Sequence, residues 1–228
     1  MYMYGMLAKI TIFLKEGMMK KIVLFAMCLF TCNKGLPRNP TAAHALPAVP
    51  FYYIRHGETD STKHNIVHGA TDIPLNQTGI QQAHAAAQKL KKHSIATIVS
   101  SPLKRARQTA QIIAQDLEKP VIVIDDLRER SAGALEGEHY SSWLLSWITD
   151  KMMHHGVESP QKFTQRVHKA IAHALTLPGP VLIVAHGGVY SALDDVLNIT
   201  YIDYLPHALP LLYTPPSAKN PAWQITAL

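Results

Sequence analysis

Four short apolar runs, each bounded by polar or turn residues and separated by stretches of helical periodicity, constrain this chain more than any other feature. Phe51 to Ile54, Ile95 to Ser100, Val121 to Ile124 and Val181 to Val184 are β-prone and read as buried or half-buried strands. Trp223 to Thr226 reads as a fifth strand, at an edge. Helical patterns fill the gaps. Thr78-x-x-Gln81 is a capping-box pattern that opens a helix through about Lys92, with Ile80, Ala83, Ala87 and Leu90 three or four apart. Ser101-Pro102 predicts a cap and a first-turn proline ahead of a face of Leu103, Ala106, Ala110, Ile113 and Leu117. Ser159-Pro160 repeats the device ahead of Phe163, Val167, Ala170 and Ala174, and a last helix is expected from about Tyr190 to Leu197. Strands that alternate with helices predict an α/β protein, a three-layer α/β/α sandwich with a mostly parallel central sheet.

In such a sheet, ligands bind at the carboxyl ends of the strands. Three polar clusters fall there: Arg55-His56-Gly57 after the first strand, Ser101 to Arg105 after the second, and His186-Gly187-Gly188 after the fourth. Two guanidiniums and two imidazoles at one end make a cationic pocket suited to a phosphoryl group, because the guanidinium fork matches phosphate oxygens. The helix after Ser101 adds the positive end of its dipole. Gly57 and the Gly187-Gly188 pair let the backbone approach a ligand closely.

The motifs carry a family resemblance. Arg55-His56-Gly57-Glu58-Thr59 resembles the signature of the histidine phosphatase superfamily, the phosphoglycerate mutase-like proteins. Asp72 to Gly79, Ser100 to Ala110, Leu127 to Gly137 and Val184 to Gly188 resemble the segments that follow it, in family order, over about residues 51–200. The resemblance implies that His56 is the nucleophile and forms a phosphohistidine. It implies that Arg55, Arg105 and His186 hold the phosphoryl oxygens, with Gly57 and Gly187 beside them. Glu129 is implied as the group that protonates the leaving oxygen and then activates water, with Glu58 and Glu136 as weaker alternatives. Relatives often carry asparagine six residues after the nucleophile; here that position is Thr62, with Asn65 three residues on, and either is a candidate for the phosphate contact. In the acid-phosphatase and phytase branch the proton donor directly follows the second histidine, whereas Gly187 stands there in this chain. The chemistry is covalent with general acid–base help, so activity is expected to fall on both sides of a bell. No metal or other cofactor is expected, because fixed cations meet the developing charge.

Residues 1–50 read differently. Lys20-Lys21 precedes an apolar stretch from Ile22 to Thr31, and Ala43-His44-Ala45 is an A-x-A cleavage pattern. The expectation is a signal peptide over 1–45 with an upstream extension, the true start being Met1, Met18 or Met19. A histidine phosphatase domain follows over 46–228. The mature protein would then be periplasmic or secreted, or membrane-anchored through the leader or a lipid at Cys32, where Leu29 to Cys32 faintly resembles a lipoprotein box. Six basic residues against Glu16 put +5 of the net +6 in residues 1–45 and leave +1 in the rest. The basic balance therefore belongs to the leader, and no nucleic-acid partner is expected.

Both cysteines, Cys28 and Cys32, lie in that leader, which excludes a disulfide framework for the body. Hydrophobic residues at 47% exclude a disordered chain, and no apolar run approaches the ~18 residues of a membrane span. The segment 136–160 is expected to form a lid, with Trp143, Leu144, Trp147, Met152 and Met153 beside His154 and His155 and few cations. His154-His155, or His64 with His68, are weak zinc patterns without a third ligand. The expected partner is a small phosphorylated substrate, and the expected activity an exported phosphomonoesterase. The alternatives are a phosphoglycerate mutase-like phosphotransferase and a catalytically weak phospho-ligand or protein-binding module.

Overall fold

Side chains alternate across a strand, so a strand buried on both faces must be apolar at every position. Phe51–Arg55 (β1) and Val181–Ala185 (β4) meet that requirement, with nine of their ten residues buried and Arg55 half-buried. The computed structural model describes residues 46–140, 156–197, 199 and 205–228. The leader, Trp143, Leu144, Trp147, Met152, Met153, His154 and His155 lie outside the described residues.

The sheet has six strands in the order β3-β2-β4-β1-β5-β6, where β2 is Thr97–Ser100, β3 Val121–Val123, β5 Pro210–Thr214 and β6 Gln224–Ala227. β1, β2, β3 and β4 run parallel, β5 pairs antiparallel with β1, and β6 pairs antiparallel with β5. Among the described residues five α-helices accompany them: α1 Asp60–Lys63, α2 Gln77–Leu90, α3 Lys104–Leu117, α4 Pro160–Ala174 and α5 Gly187–Leu197. Tyr52, Ile54, Ile98, Leu182 and Val184 pack one sheet face against Ala86, Leu90, Ala106 and Ile113 of α2 and α3. Phe51, Tyr53, Val99, Val181 and Ile183 pack the other against Phe163, Val167, Ile171, Val189 and Leu193 of α4 and α5. This is the expected three-layer α/β/α sandwich.

Four local expectations change. β2 begins at Thr97 rather than Ile95. The cap of α2 is Asn76, whose side chain accepts from Gly79 N–H, two residues before the Thr78 pattern. α3 starts at Lys104 after an uncapped Leu103, so Ser101 and Pro102 stand outside the helix. Asp72 Oδ1 accepts from Lys104 N–H at 2.6 Å and caps that end from a distant loop. Finally, β5 is a further strand beyond the five expected: Pro210 opens its short apolar run and it pairs with β1, where Tyr213 stacks on Phe51 at 4.7 Å. Ser159 does cap α4, accepting from Lys162 N–H, with Pro160 in the first turn.

Candidate active site

β2, β4 and β1 are neighbours and parallel, so their carboxyl ends share one edge of the sheet. Sheet hydrogen bonding runs one residue past each strand end. His56 N–H donates to Ala185 O and Ser101 N–H to Val184 O, both at 3.0 Å. Arg55-His56, Ser101 and His186 are thereby set side by side.

His56 is 1% exposed, and its Nδ1 lies 2.7 Å from Gly57 O. A carbonyl only accepts, so Nδ1 carries the proton and Nε2 keeps a lone pair. The turn that permits this packs tightly: a Cβ on Gly57 would overlap the Gly79 carbonyl, and one on Gly79 would overlap Glu58 O. Gly57 N–H donates to Thr109 Oγ1 of α3 at 3.0 Å. Burial, and then the Arg105 charge, hold both His56 and His186 well below the usual imidazole range. Both rings are neutral near pH 7.

Arg105 is fully buried in the first turn of α3. Its Nη1 and Nη2 donate to Thr71 O and Gly69 O at 2.7 Å, and its Nε makes no hydrogen bond among the described residues. Burial lowers its pKa to about 10, which leaves it cationic at neutral pH. Arg55 donates through Nη1 to Leu205 O at 2.9 Å. His186 places Nε2 at 2.7 Å from Ser101 Oγ, while its buried Nδ1 has no partner among the described residues. Leu103 N–H already donates to Ser101 Oγ. When that hydroxyl donates to Nε2, His186 presents Nδ1–H as a donor. Ser101, expected as a helix cap, thus serves the second histidine.

Glu129 is held at both oxygens: Oε2 accepts from Gly188 N–H at 2.9 Å and Oε1 from Arg130 N–H at 2.8 Å. Its loop is braced by Arg166 of α4, which donates to Asp126 O, Arg128 O and Glu129 O and pairs with Glu158 through two 2.7 Å bonds. The other two carboxylates are committed elsewhere. Glu136 accepts from Ala70 N–H, Thr71 Oγ1 and Ala132 N–H, and Glu58 from Asn76 Nδ2.

Arg55, His56, Gly57, Arg105, Glu129, His186 and Gly187 therefore lie on one edge of the sheet. Thr62 and Asn65 are not drawn in by any hydrogen bond. Thr62 Oγ1 donates to Thr59 O and accepts from Thr59 N–H, closing the cap of α1, and Asn65 is exposed at φ 55°. Two histidines join instead. His68 and His207 place their rings 5.9 and 5.5 Å from that of His56, against 5.2 Å for His186. His207 Nδ1 donates to the His56 carbonyl at 3.0 Å. Burial lowers His68 to about 3 and His207 to about 4. Sequence reasoning set His68 beside His64 as a zinc pattern, but His64 is exposed at the end of α1. His207 carried no signal beyond being a histidine. Arg166 did carry one: it interrupts the apolar face of α4 between Phe163 and Ala170.

The model of the histidine phosphatase superfamily (branch 1) matches residues 51–204. This chain belongs to the histidine phosphatase superfamily. Among its relatives in this superfamily is an uncharacterized phosphatase, PhoE, of Bacillus subtilis, 38% identical over 142 residues that cover 61% of this chain and 72% of that protein. A probable phosphoglycerate mutase, GpmB, of Escherichia fergusonii is 36% identical over 148 residues, 60% of this chain and 68% of that one. The crystal structure of a putative alpha-ribazole-5'-P phosphatase from Escherichia coli superposes with a TM-score of 0.66 at 25% identity, over 79% of this chain and 96% of that chain. Phosphatase or mutase-like activity is the function this superfamily membership carries.

Gly188 tests how the Glu129 carboxylate is held and whether its position matters to turnover. A Cβ there would overlap the Glu129 carboxylate. Gly188→Ala is expected to lower kcat about 100-fold, the lower part of the range for a displaced general acid. Its Tm should stay within a few degrees, since alanine suits a helix better than glycine. Circular dichroism melting beside steady-state kinetics measures both, and unchanged kcat would mean that Glu129 is not held through Gly188.

Proposed function

We propose that this chain is a phosphomonoesterase that transfers the phosphoryl group to His56 and needs no metal ion. The observation that carries the reading is the buried, neutral His56, with Nδ1 fixed on Gly57 O and the Nε2 lone pair beside Arg105 and His186. In the first step His56 Nε2 attacks phosphorus, the bond to the ester oxygen breaks, and Glu129 gives that oxygen a proton. In the second step water attacks the phosphohistidine, Glu129 takes the proton, and the nitrogen–phosphorus bond breaks to release phosphate. Arg55, Arg105 and His186 Nδ1–H meet the charge on the phosphoryl oxygens, helped by the amino end of α5 at Gly187. The likeness to phosphoglycerate mutases keeps a second reading, in which the phosphohistidine passes its group to a sugar or glycerate hydroxyl instead of water.

The test is p-nitrophenyl phosphate hydrolysis by the full chain in excess EDTA, beside isomerisation of 3-phosphoglycerate. Hydrolysis that survives EDTA, with an acid-labile phosphoenzyme trapped in the first turnover, supports the phosphatase. Isomerisation faster than hydrolysis replaces it with the mutase. Dependence of hydrolysis on an added divalent ion overturns the metal-free mechanism.

We further propose that the domain acts outside the cytosol, released from its leader after Ala45 or anchored through it. The Lys20-Lys21 pair, the apolar stretch after it and the Ala43-His44-Ala45 pattern support this reading. Cell fractionation that leaves full-length protein in the cytosol would overturn it.

A further inference from the structure

Tyr53 lies in the middle of β1, two residues before Arg55 and on the α4–α5 face of the sheet. It is fully buried, yet its hydroxyl reaches the carboxyl end of the neighbouring strand β4. There it makes two hydrogen bonds to one residue: it donates to His186 O at 2.6 Å and accepts from His186 N–H at 3.1 Å. His186 O also accepts from Tyr190 N–H as α5 begins. The Tyr53 hydroxyl therefore closes the turn between β4 and α5 from below. That turn sets the direction of the His186 ring on one side and of Gly188 N–H, the donor to Glu129 Oε2, on the other.

A leucine or phenylalanine would fill the same apolar space, and the neighbours Ile183, Val189 and Tyr190 ask only for bulk. The hydroxyl is what the packing does not require. We infer that Tyr53 is a positioning residue for the reaction: its hydroxyl fixes the β4–α5 turn so that His186 and, through Gly188, Glu129 are aimed at the phosphoryl group. This rests on the phosphohistidine reading for its effect on rate, but its effect on the His186 ring stands apart from it. Burial keeps the phenol protonated, so the donor to His186 O is present throughout the working pH range.

A second buried tyrosine supplies the control. Tyr213 on β5 is also fully buried, and its hydroxyl donates to Asp194 Oδ1 at 3.0 Å, on the helix but away from the turn. Tyr53→Phe and Tyr213→Phe each remove one buried hydroxyl and leave polar partners behind, so both should lower Tm. Only the first should change the chemistry. For the full chain, Tyr53→Phe is expected to lower kcat and kcat/KM together by about tenfold or more, with KM for p-nitrophenyl phosphate within twofold, the signature of an interaction that matters in the transition state. Tyr213→Phe is expected to keep kcat within twofold. Histidine ring 15N spectra give the independent readout: the His186 signals should move in Tyr53→Phe and stay in place in Tyr213→Phe. Equal kcat losses in the two variants, or unmoved His186 signals in Tyr53→Phe, overturn the inference. If the unsubstituted chain has no turnover, the phosphohistidine reading fails, and the spectra still decide whether Tyr53 sets the ring.

Discussion

His56→Asn is expected to lower p-nitrophenyl phosphate turnover by on the order of 10,000-fold or more, the scale on which loss of a covalent nucleophile is felt. Asparagine is the informative replacement because its amide can donate to Gly57 O as Nδ1 does, keeping the turn while removing the attacking nitrogen. Arg55, Arg105 and His186 remain, so phosphate binding should survive within about tenfold, a change of ~1.4 kcal/mol. Dissociation constants for inorganic phosphate, read by isothermal titration on the parent and the variant, separate the two effects. Turnover within 100-fold of the parent would sink the role given to His56. Loss of phosphate binding along with turnover would show that the variant had damaged the cradle rather than the nucleophile.

Acid should unfold this protein through its histidines. His56, His68, His186 and His207 are all held below the ordinary imidazole value, chiefly by burial. In the unfolded chain each takes up a proton near pH 6.5, but in the folded chain only at lower pH. Below that value the unfolded state binds more protons, so stability is lost as pH falls and is fully present only above it. Each imidazole that stays neutral in the fold contributes a slope of about 1.4 kcal/mol per pH unit. The Tm of the full chain should therefore drop by on the order of 10 °C between pH 6 and pH 5. His68→Gln should drop by a few degrees less, because one of the four no longer titrates. A Tm that stays level from pH 7 to pH 5 would mean that these rings are hydrated rather than buried.

The parts of this molecule that were legible in the sequence are those with local causes. The Ser159-Pro160 cap, the Phe163-Val167-Ala170 face and the apolar strands β1 and β4 each follow from residues within one turn or one strand. His56, Arg105 and His186 were legible because each follows a strand whose end is fixed by the parallel arrangement. What escaped notice depends on distant partners. β5 opens on Pro210 and gains its place from pairing with β1 and β6, which lie far from it in sequence or follow it. α3 is capped by Asp72, more than thirty residues earlier, so the nearby Ser101 was free to turn to His186. His207 approaches His56 from a segment 151 residues away, with no pattern around it. Thr62 matched the spacing of a phosphate ligand, but a hydroxyl three residues after Thr59 closes a short helix on its own.

His56 and Glu129 are attached to the scaffold in different ways. His56 N–H and Ser101 N–H continue the ladder of the central sheet, whereas Glu129 is tied by side chains and a helix amide outside it. Breaking the first attachment means opening the most buried strands; breaking the second means releasing a loop. A change on this scaffold can therefore shift the Glu129 loop while the sheet stays closed. The His56 imidazole has to stay where the ladder puts it.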